Sequence, residues 1–336
     1  MQTLARALAR GWPGLATVIV ALLASTGCRA PAPTPMKLFS LQQPDAPVGT
    51  TPPELAEPAV HGLSWRFRWG TIEPLPGEYH WERIDSAIQV TRAAGKTVML
   101  RITAGMHTPD WVYDAGARAV QLSNTDLFHS ENYKKQLTMA PPWDEVYLAR
   151  WTAFIHALGE RYGRDKSIFS IQMTGGGHIG ELNLPKAPEK WSAAGYSDTK
   201  LIGAWKRIID AYRESFPGIP TNLDINEPLR SSNVLNPLVD FVLAKYPGAV
   251  YLQHNGLRGD LPADHRIRTI LRGAAGRTVV GYQMVGGGGF LEQQTGSRLE
   301  ALRRATEDHA SYLEVYAGDL QNAGLKATFR QFAETR

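Results

Sequence analysis

Thr97-Val98-Met99-Leu100-Arg101-Ile102-Thr103 is a short run rich in aliphatic and β-branched side chains, of strand length rather than helix length. Just upstream, Glu82 to Ala94 repeats its apolar residues every three or four positions, and Gly95 follows where such a helix would stop. A buried strand fed by an amphipathic helix is the repeating unit of a parallel sheet covered by helices.

The unit recurs in both directions. Strand-like runs lie at Lys37 to Gln42, Gly62 to Arg68, Ile168 to Thr174, Pro220 to Ile225, Val250 to Gln253, Thr278 to Met284 and Tyr312 to Tyr316. Helical patterns lie between them at Asp144 to Tyr162, Thr199 to Phe216, Asn236 to Lys245, Asp264 to Ala274 and Ser297 to His309. Asp198 and Ser297 stand as N-caps, and Gly163 and Pro217 follow helix ends. Eight strands is the barrel number, so the expected fold is α/β, a single-domain (β/α)8 TIM barrel over residues 37–336. Pro44 to Val60 shows no full helix after the first strand. An open doubly wound sheet would carry a glycine-rich turn straight after its first strand, and none is present.

Ahead of the barrel, Arg6 and Arg10 precede an uncharged run from Gly14 to Ala24 and the small residues Ser25, Thr26 and Gly27, which reads as an export signal over residues 1–27. The run is too short for a permanent span, which needs about 20 apolar residues. Cys28 is the single cysteine, so an internal disulfide is excluded. Its setting resembles the lipobox of bacterial lipoproteins, which implies lipidation at Cys28 and a membrane anchor at the cell envelope. Ser25 stands where that pattern carries Leu, so ordinary cleavage nearby is an open alternative. Residues 28–36 are Pro/Ala-rich and read as a tether. With 43% hydrophobic and 20% charged residues the remainder is globular in composition. The net charge of +4 is dispersed without a dense basic cluster, so nucleic acid is not an expected partner.

In a parallel barrel the active site forms at the C-terminal ends of the strands. Residues of functional type follow each of seven strands here: Trp69 and Glu73; His107 and Trp111; His178 and Glu181; Asp224 and Glu227; His254 and Asn255; Gln283; and Glu314, Tyr316 and Asp319.

The segment Trp65-Arg66-Phe67-Arg68-Trp69-Gly70-Thr71-Ile72-Glu73-Pro74, with Pro76-Gly77-Glu78-Tyr79-His80-Trp81 after it, resembles the second strand and loop of retaining (β/α)8-barrel glycoside hydrolases, beta-galactosidase-like members above all. Gly95 to Arg101 and Thr108-Pro109-Asp110-Trp111 look like their third strand and its loop. The resemblance covers about 50 residues and implies a glycosidase acting on an oligo- or polysaccharide without a cofactor. In that superfamily the acid/base is a glutamate after the fourth strand, usually preceded by Asn. Here the segment reads Thr174-Gly175-Gly176-Gly177-His178-Ile179-Gly180-Glu181, with the carboxylate but without the Asn. Precedent puts the nucleophile after the seventh strand, where Val279-Val280-Gly281-Tyr282-Gln283-Met284 has no acid.

A glycosidase needs one carboxylic acid to protonate the leaving oxygen and a second carboxylate across the sugar. Glu181 is the first choice for the acid. Glu314 lies almost opposite on the eighth strand and is the first choice for its partner, with Glu227, Asp224 and Glu292 behind it. Trp69, Trp111 and Trp191 are candidate sugar platforms, whereas Trp151 and Trp205 sit on helix faces and belong to the core. Arg66 and Arg101 are candidates to hold a carboxylate ionised. His107, His178, His254, Asp224, Glu227 and Gln283 complete the candidate substrate contacts, and no early-strand histidine pair suggests a metal. Two rivals stay open: a glycan-binding lipoprotein without catalysis, and a phosphate-binding barrel using Gly286 to Gly289.

Overall fold

The computed structural model describes residues 36–47, 49–123, 136–286 and 296–334. Cys28 and the leader, Glu292 and Gly287 to Gly289 lie outside them. The strands are β1 (Lys37–Leu41), β2 (Val60–Arg68), β3 (Thr97–Thr103), β4 (Val120–Ser123), β5 (Gln136–Met139), β6 (Ile168–Met173), β7 (Thr221–Asp224), β8 (Val250–Leu257), β9 (Val280–Met284) and β10 (Tyr312–Tyr316). Eight of them close a barrel in the order β1-β2-β3-β6-β7-β8-β9-β10, every neighbouring pair parallel. All eight expected strands form. β4 and β5 make a separate antiparallel pair outside the barrel.

Side chains alternate across each barrel strand, so Leu63, Trp65 and Phe67 of β2 and Val98, Leu100 and Ile102 of β3 join the large core under the helices. The inward face differs from one end to the other. Phe39, Met99 and Tyr312 form a second apolar cluster with Phe169, Tyr251 and Val279 near the strands' N-terminal ends. Gly281 makes room for it, since a Cβ there would lie 2.2 Å from the Tyr312 ring. Nearer the C-terminal ends the buried side chains turn polar: Arg101, Gln172, Asn222, Asp224, Gln253, Gln283 and Glu314. The apolar floor thus confines polar chemistry to the mouth that barrel enzymes use.

The helices Trp81–Ala93, Glu145–Tyr162, Asp198–Ser215, Ser232–Lys245, Arg266–Ala274 and Arg298–Glu307 stand where helical periodicity placed them, to within a few residues. One cap moves: Ser197 Oγ accepts from Lys200 N at 3.2 Å, making Ser197 rather than Asp198 the N-cap. Ser297 caps its helix as expected. After β1 there is only a 3-10 turn, Pro53–Ala56. The short helices Asp110–Asp114 and Pro188–Ala193 and the final helix Ala323–Glu334 lie outside the segments of helical periodicity.

Candidate active site

The glycine-rich segment after β6 is a compact loop that reaches back over the barrel mouth. Gly175 N and Gly176 N both donate to Gly180 O, and His178 N donates to Asn183 O. Its start is fastened to the helix Glu145–Tyr162, because Trp151 Nε1 donates to Thr174 O and Tyr147 Oη donates to Gly175 O, each at 2.8 Å. Its tip leans on the loop after β3, where Met106 N donates to His178 O. Gly105 makes that approach possible. Its φ is +64° and an added Cβ would sit 2.0 Å from Gly177 O, so both conformation and space demand glycine.

This loop delivers Glu181 to a guanidinium. Arg101, 1% exposed on the inward face of β3, donates from one terminal nitrogen to Glu181 Oε1 at 3.1 Å. From the other it donates to Glu314 Oε2 at 3.2 Å and Gln283 Oε1 at 3.0 Å. Two carboxyl groups on opposite nitrogens of one guanidinium are less than about 9 Å apart, within the range glycosidases use. Gln253 Nε2 also donates to Glu314 Oε2, and Gln253 Oε1 is held by Asn222 Nδ2 and Tyr312 Oη at 2.8 Å each. Glu314 is fully buried, and its Oε1 has no hydrogen-bond partner among the described residues.

Asn255 links Glu181 to a third carboxyl group. Its side-chain amide donates to Glu181 Oε1 at 2.6 Å, while its backbone N–H donates to Asp224 Oδ1 at 3.0 Å. Asp224 Oδ2 accepts from Asn226 Nδ2. Burial raises the Glu181 pKa above the ordinary carboxyl value, opposed by the charge of Arg101 and the Asn255 hydrogen bond. Asp224 is raised well above its usual value by burial and then by the nearby Glu181. Of the three, Glu181 alone reaches solvent appreciably, its side chain being 12% exposed against zero for Asp224 and Glu314. A carboxyl group whose neutral form burial favours and which is open to a ligand suits a general acid.

The other candidate residues divide. Gln283 and Arg101 belong to the cluster. His107 stands half-buried at the rim, its Nδ1 2.8 Å from Thr103 Oγ1, and burial together with nearby Arg68, His178 and Arg66 lowers its pKa to about 3, so it is neutral. His178 lies in the same loop as Glu181, partly exposed. Trp111 is half-buried, with Nε1 on Glu73 O at 3.1 Å and its ring edge-on to Trp69.

Four expectations are corrected. Trp69 is fully buried, packed 4.8 Å from the Trp151 ring with Nε1 on Glu73 Oε2, so it is core and not a sugar platform. Trp191 is likewise buried, donating to Pro185 O. His254 faces away from the mouth: its Nδ1 is 3.1 Å from Ile225 O and its ring lies against His265 and Tyr282. Strand parity explains this, because Gln253 and Asn255 take the inward positions of β8 and leave His254 on the other face. Glu227 pairs with Arg266 at 3.2 Å on the flank and does not join the carboxyl cluster. Trp151 and Trp205 are core, as their helix faces implied. Gln253 and Asn222 are polar residues that the sequence does not single out, and Asn255, which it places after the sixth strand, gains its role only here; the alternation of β8 is the signal that pairs Gln253 with Asn255. Among the described residues no cluster of His, Cys, Asp and Glu is arranged to hold a metal ion.

Fold and site together define a (β/α)8 barrel with a carboxyl cluster at its C-terminal mouth. Residues 60–196 match the model of glycoside hydrolase family 42, described as beta-galactosidase. Among curated proteins none matches the chain by sequence. The fold is similar to the catalytic domain of beta-amylase from Paenibacillus polymyxa, with a TM-score of 0.64 and 13% identity over 89% of this chain and 98% of that one. It is also similar to beta-galactosidase from the psychrophilic Marinomonas ef1, with a TM-score of 0.57 and 13% identity over 89% of this chain and 59% of that longer one. A further solved glycoside hydrolase aligns with a TM-score of 0.54 and 10% identity, over 84% of this chain and 88% of its own.

Proposed function

We propose that the chain is a glycoside hydrolase in which Glu181 is the general acid/base and Glu314 the second carboxylate. The observation that carries the reading is the Arg101 bridge, which ties a partly exposed carboxyl of raised pKa to a buried carboxylate across the mouth. The family match over residues 60–196 supports the reaction class. In this reading Glu181 gives its proton to the glycosidic oxygen as the C–O bond breaks. Glu314 either attacks the anomeric carbon or activates the water that does, using Oε1, the oxygen that no group among the described residues engages. Glu181, now ionised, then takes the proton of the incoming water in the double-displacement course.

Leaving-group dependence tests this. Glu181→Gln keeps the shape and removes the proton, so turnover of glycosides with poor leaving groups should fall at least about 100-fold, the scale of general acid catalysis. Activated aryl glycosides should lose much less in the bond-breaking step, whereas Glu314→Gln should lose both classes. Equal, small losses for Glu181→Gln on every substrate would refute the acid role.

A second reading has its own support. Glu314 is fully buried and β9 offers Gln283 rather than an acid, which favours a protein that binds glycan without cleaving it. Absence of turnover on a broad glycoside panel, with glycan binding retained, would select it. The proposal also includes export and anchorage at the cell envelope through Cys28, supported by the sequence of residues 1–35. No helix among the described residues is long and apolar enough to cross a membrane.

A further inference from the structure

Among the described residues the mouth contains one cation that the carboxyl groups do not use. Arg66 lies in β2 and is 4% exposed. Its Nε donates to Gln42 O at 2.8 Å, and its guanidinium stands 5.9 Å from the Tyr316 ring centroid. It makes no other hydrogen bond and no ion pair among the described residues, which leaves both terminal nitrogens uncommitted. Of the other buried arginines, Arg101 holds Glu181 and Glu314, Arg268 holds Asp308 and Arg298 pairs with Asp319, while Arg213 gives its terminal nitrogens to Ile219 O, Pro217 O and Thr221 Oγ1. Taking a guanidinium out of water without an anion is costly. A planar fork left unfilled at the edge of a site is suited to a planar anion brought by the ligand.

The charges around Arg66 favour that use. The titratable groups in its electrostatic surroundings are Tyr316, Arg101, Glu314, Glu181 and His107. Glu314 and Arg101 offset each other as a pair. Burial holds Glu181 and Asp224 toward their neutral forms, and His107 is neutral. Among the described residues the charge of Arg66 is therefore left without an opposite, and it lies in the same mouth as the Glu181 carboxyl group.

We propose that Arg66 anchors a carboxylate carried by the sugar itself, so that this site takes uronic-acid glycosides in preference to their neutral counterparts. The proposal rests on the glycosidase reading for the role of Glu181, but the anchoring of the anion is a separate property. The test is calorimetric titration of the full chain with two matched pairs, methyl β-D-galacturonoside against methyl β-D-galactoside and methyl β-D-glucuronoside against methyl β-D-glucoside. At low salt the acidic member of at least one pair should bind at least about 10-fold more tightly, as expected for hydrogen bonds to a charged group. R66Q should bring that advantage below about 2-fold. R66K, which keeps the charge and loses the planar fork, should fall between the two and serves alone if R66Q does not fold. Equal or weaker binding of the acid in both pairs, a preference that survives R66Q or is unchanged in R66K, or no binding of any of the four probes would overturn the proposal. Turnover of the matching 4-nitrophenyl glycosides separates the two ideas. Arg66-dependent binding of the acid without turnover upholds the anchor and removes the glycosidase reading, and turnover with no acidic preference does the reverse.

Discussion

Two buried ion networks in this barrel use the same residue types to opposite ends. On the outside of the sheet, Asp308 accepts from Arg268 Nε at 2.7 Å and its terminal nitrogen at 3.0 Å, from Arg272 at 3.0 Å and from Tyr282 Oη at 2.6 Å. Both carboxylate oxygens are doubly engaged, so their acceptor capacity is met. Inside the barrel, Arg101 holds two carboxyl groups, yet Glu314 Oε1, Ser170 Oγ, Asn222 Oδ1 and both amide atoms of Gln172 have no partner among the described residues. A satisfied network fixes structure, whereas one with unspent hydrogen-bonding capacity and raised carboxyl pKa values is what a ligand site looks like before its ligand arrives.

The contrast can be broken from the outside first. Asp308→Ala would strand two arginines and a tyrosine, and should cost about 3–5 kcal/mol in denaturant unfolding, while the folded fraction keeps its glycoside kcat/KM. A parallel loss of kcat/KM in fully folded protein would mean that the outer network also shapes the site. Gly105→Ala has a smaller expected effect on stability, about 1–3 kcal/mol for forcing a side chain into occupied space, but should lower turnover because the loop bearing Glu181 must move. Unchanged turnover would show that this loop contact does not position the acid.

Asp224→Asn should do least to stability near neutrality, since the raised pKa keeps Asp224 toward its neutral form, which Asn imitates. A carboxyl group whose pKa is raised by folding contributes stability below its unfolded value of about 3.9, and that contribution is lost as pH rises through the folded value. The melting temperature of the wild type should therefore fall more than that of Asp224→Asn as pH rises above the unfolded value of about 3.9. Identical slopes would mean that Asp224 is ionised in the folded protein across that range.

The fold was far more legible in the sequence than the site. Each barrel strand is a local run of β-branched and aliphatic residues such as Val98 to Ile102, and each main helix carries its own periodicity, so short windows sufficed. Glu181 and Glu314 were visible as acids at strand ends. Their meeting on Arg101 was not, because the contacts span 80 and 213 residues and no local pattern records them. The tryptophans misled for a related reason. Trp69 and Trp191 follow elements where a sugar platform could stand, but the neighbours that bury them, Trp151 and Trp143, come from distant helices and loops. His254 was a parity error, correctable from the alternation Gln253, His254, Asn255.

The central claim, that burial in the mouth favours the proton Glu181 would give as an acid, is tested most directly by the pH dependence of kcat/KM on a glycoside with a poor leaving group. The wild type should show an alkaline limb whose pKa lies above the ordinary glutamic acid value of about 4.3, because burial favours the neutral form. Activity should decline as pH rises through that limb, and in Glu181→Gln the limb should be absent from whatever activity remains. A wild-type limb at the ordinary value, or the same limb persisting in Glu181→Gln, would contradict the account.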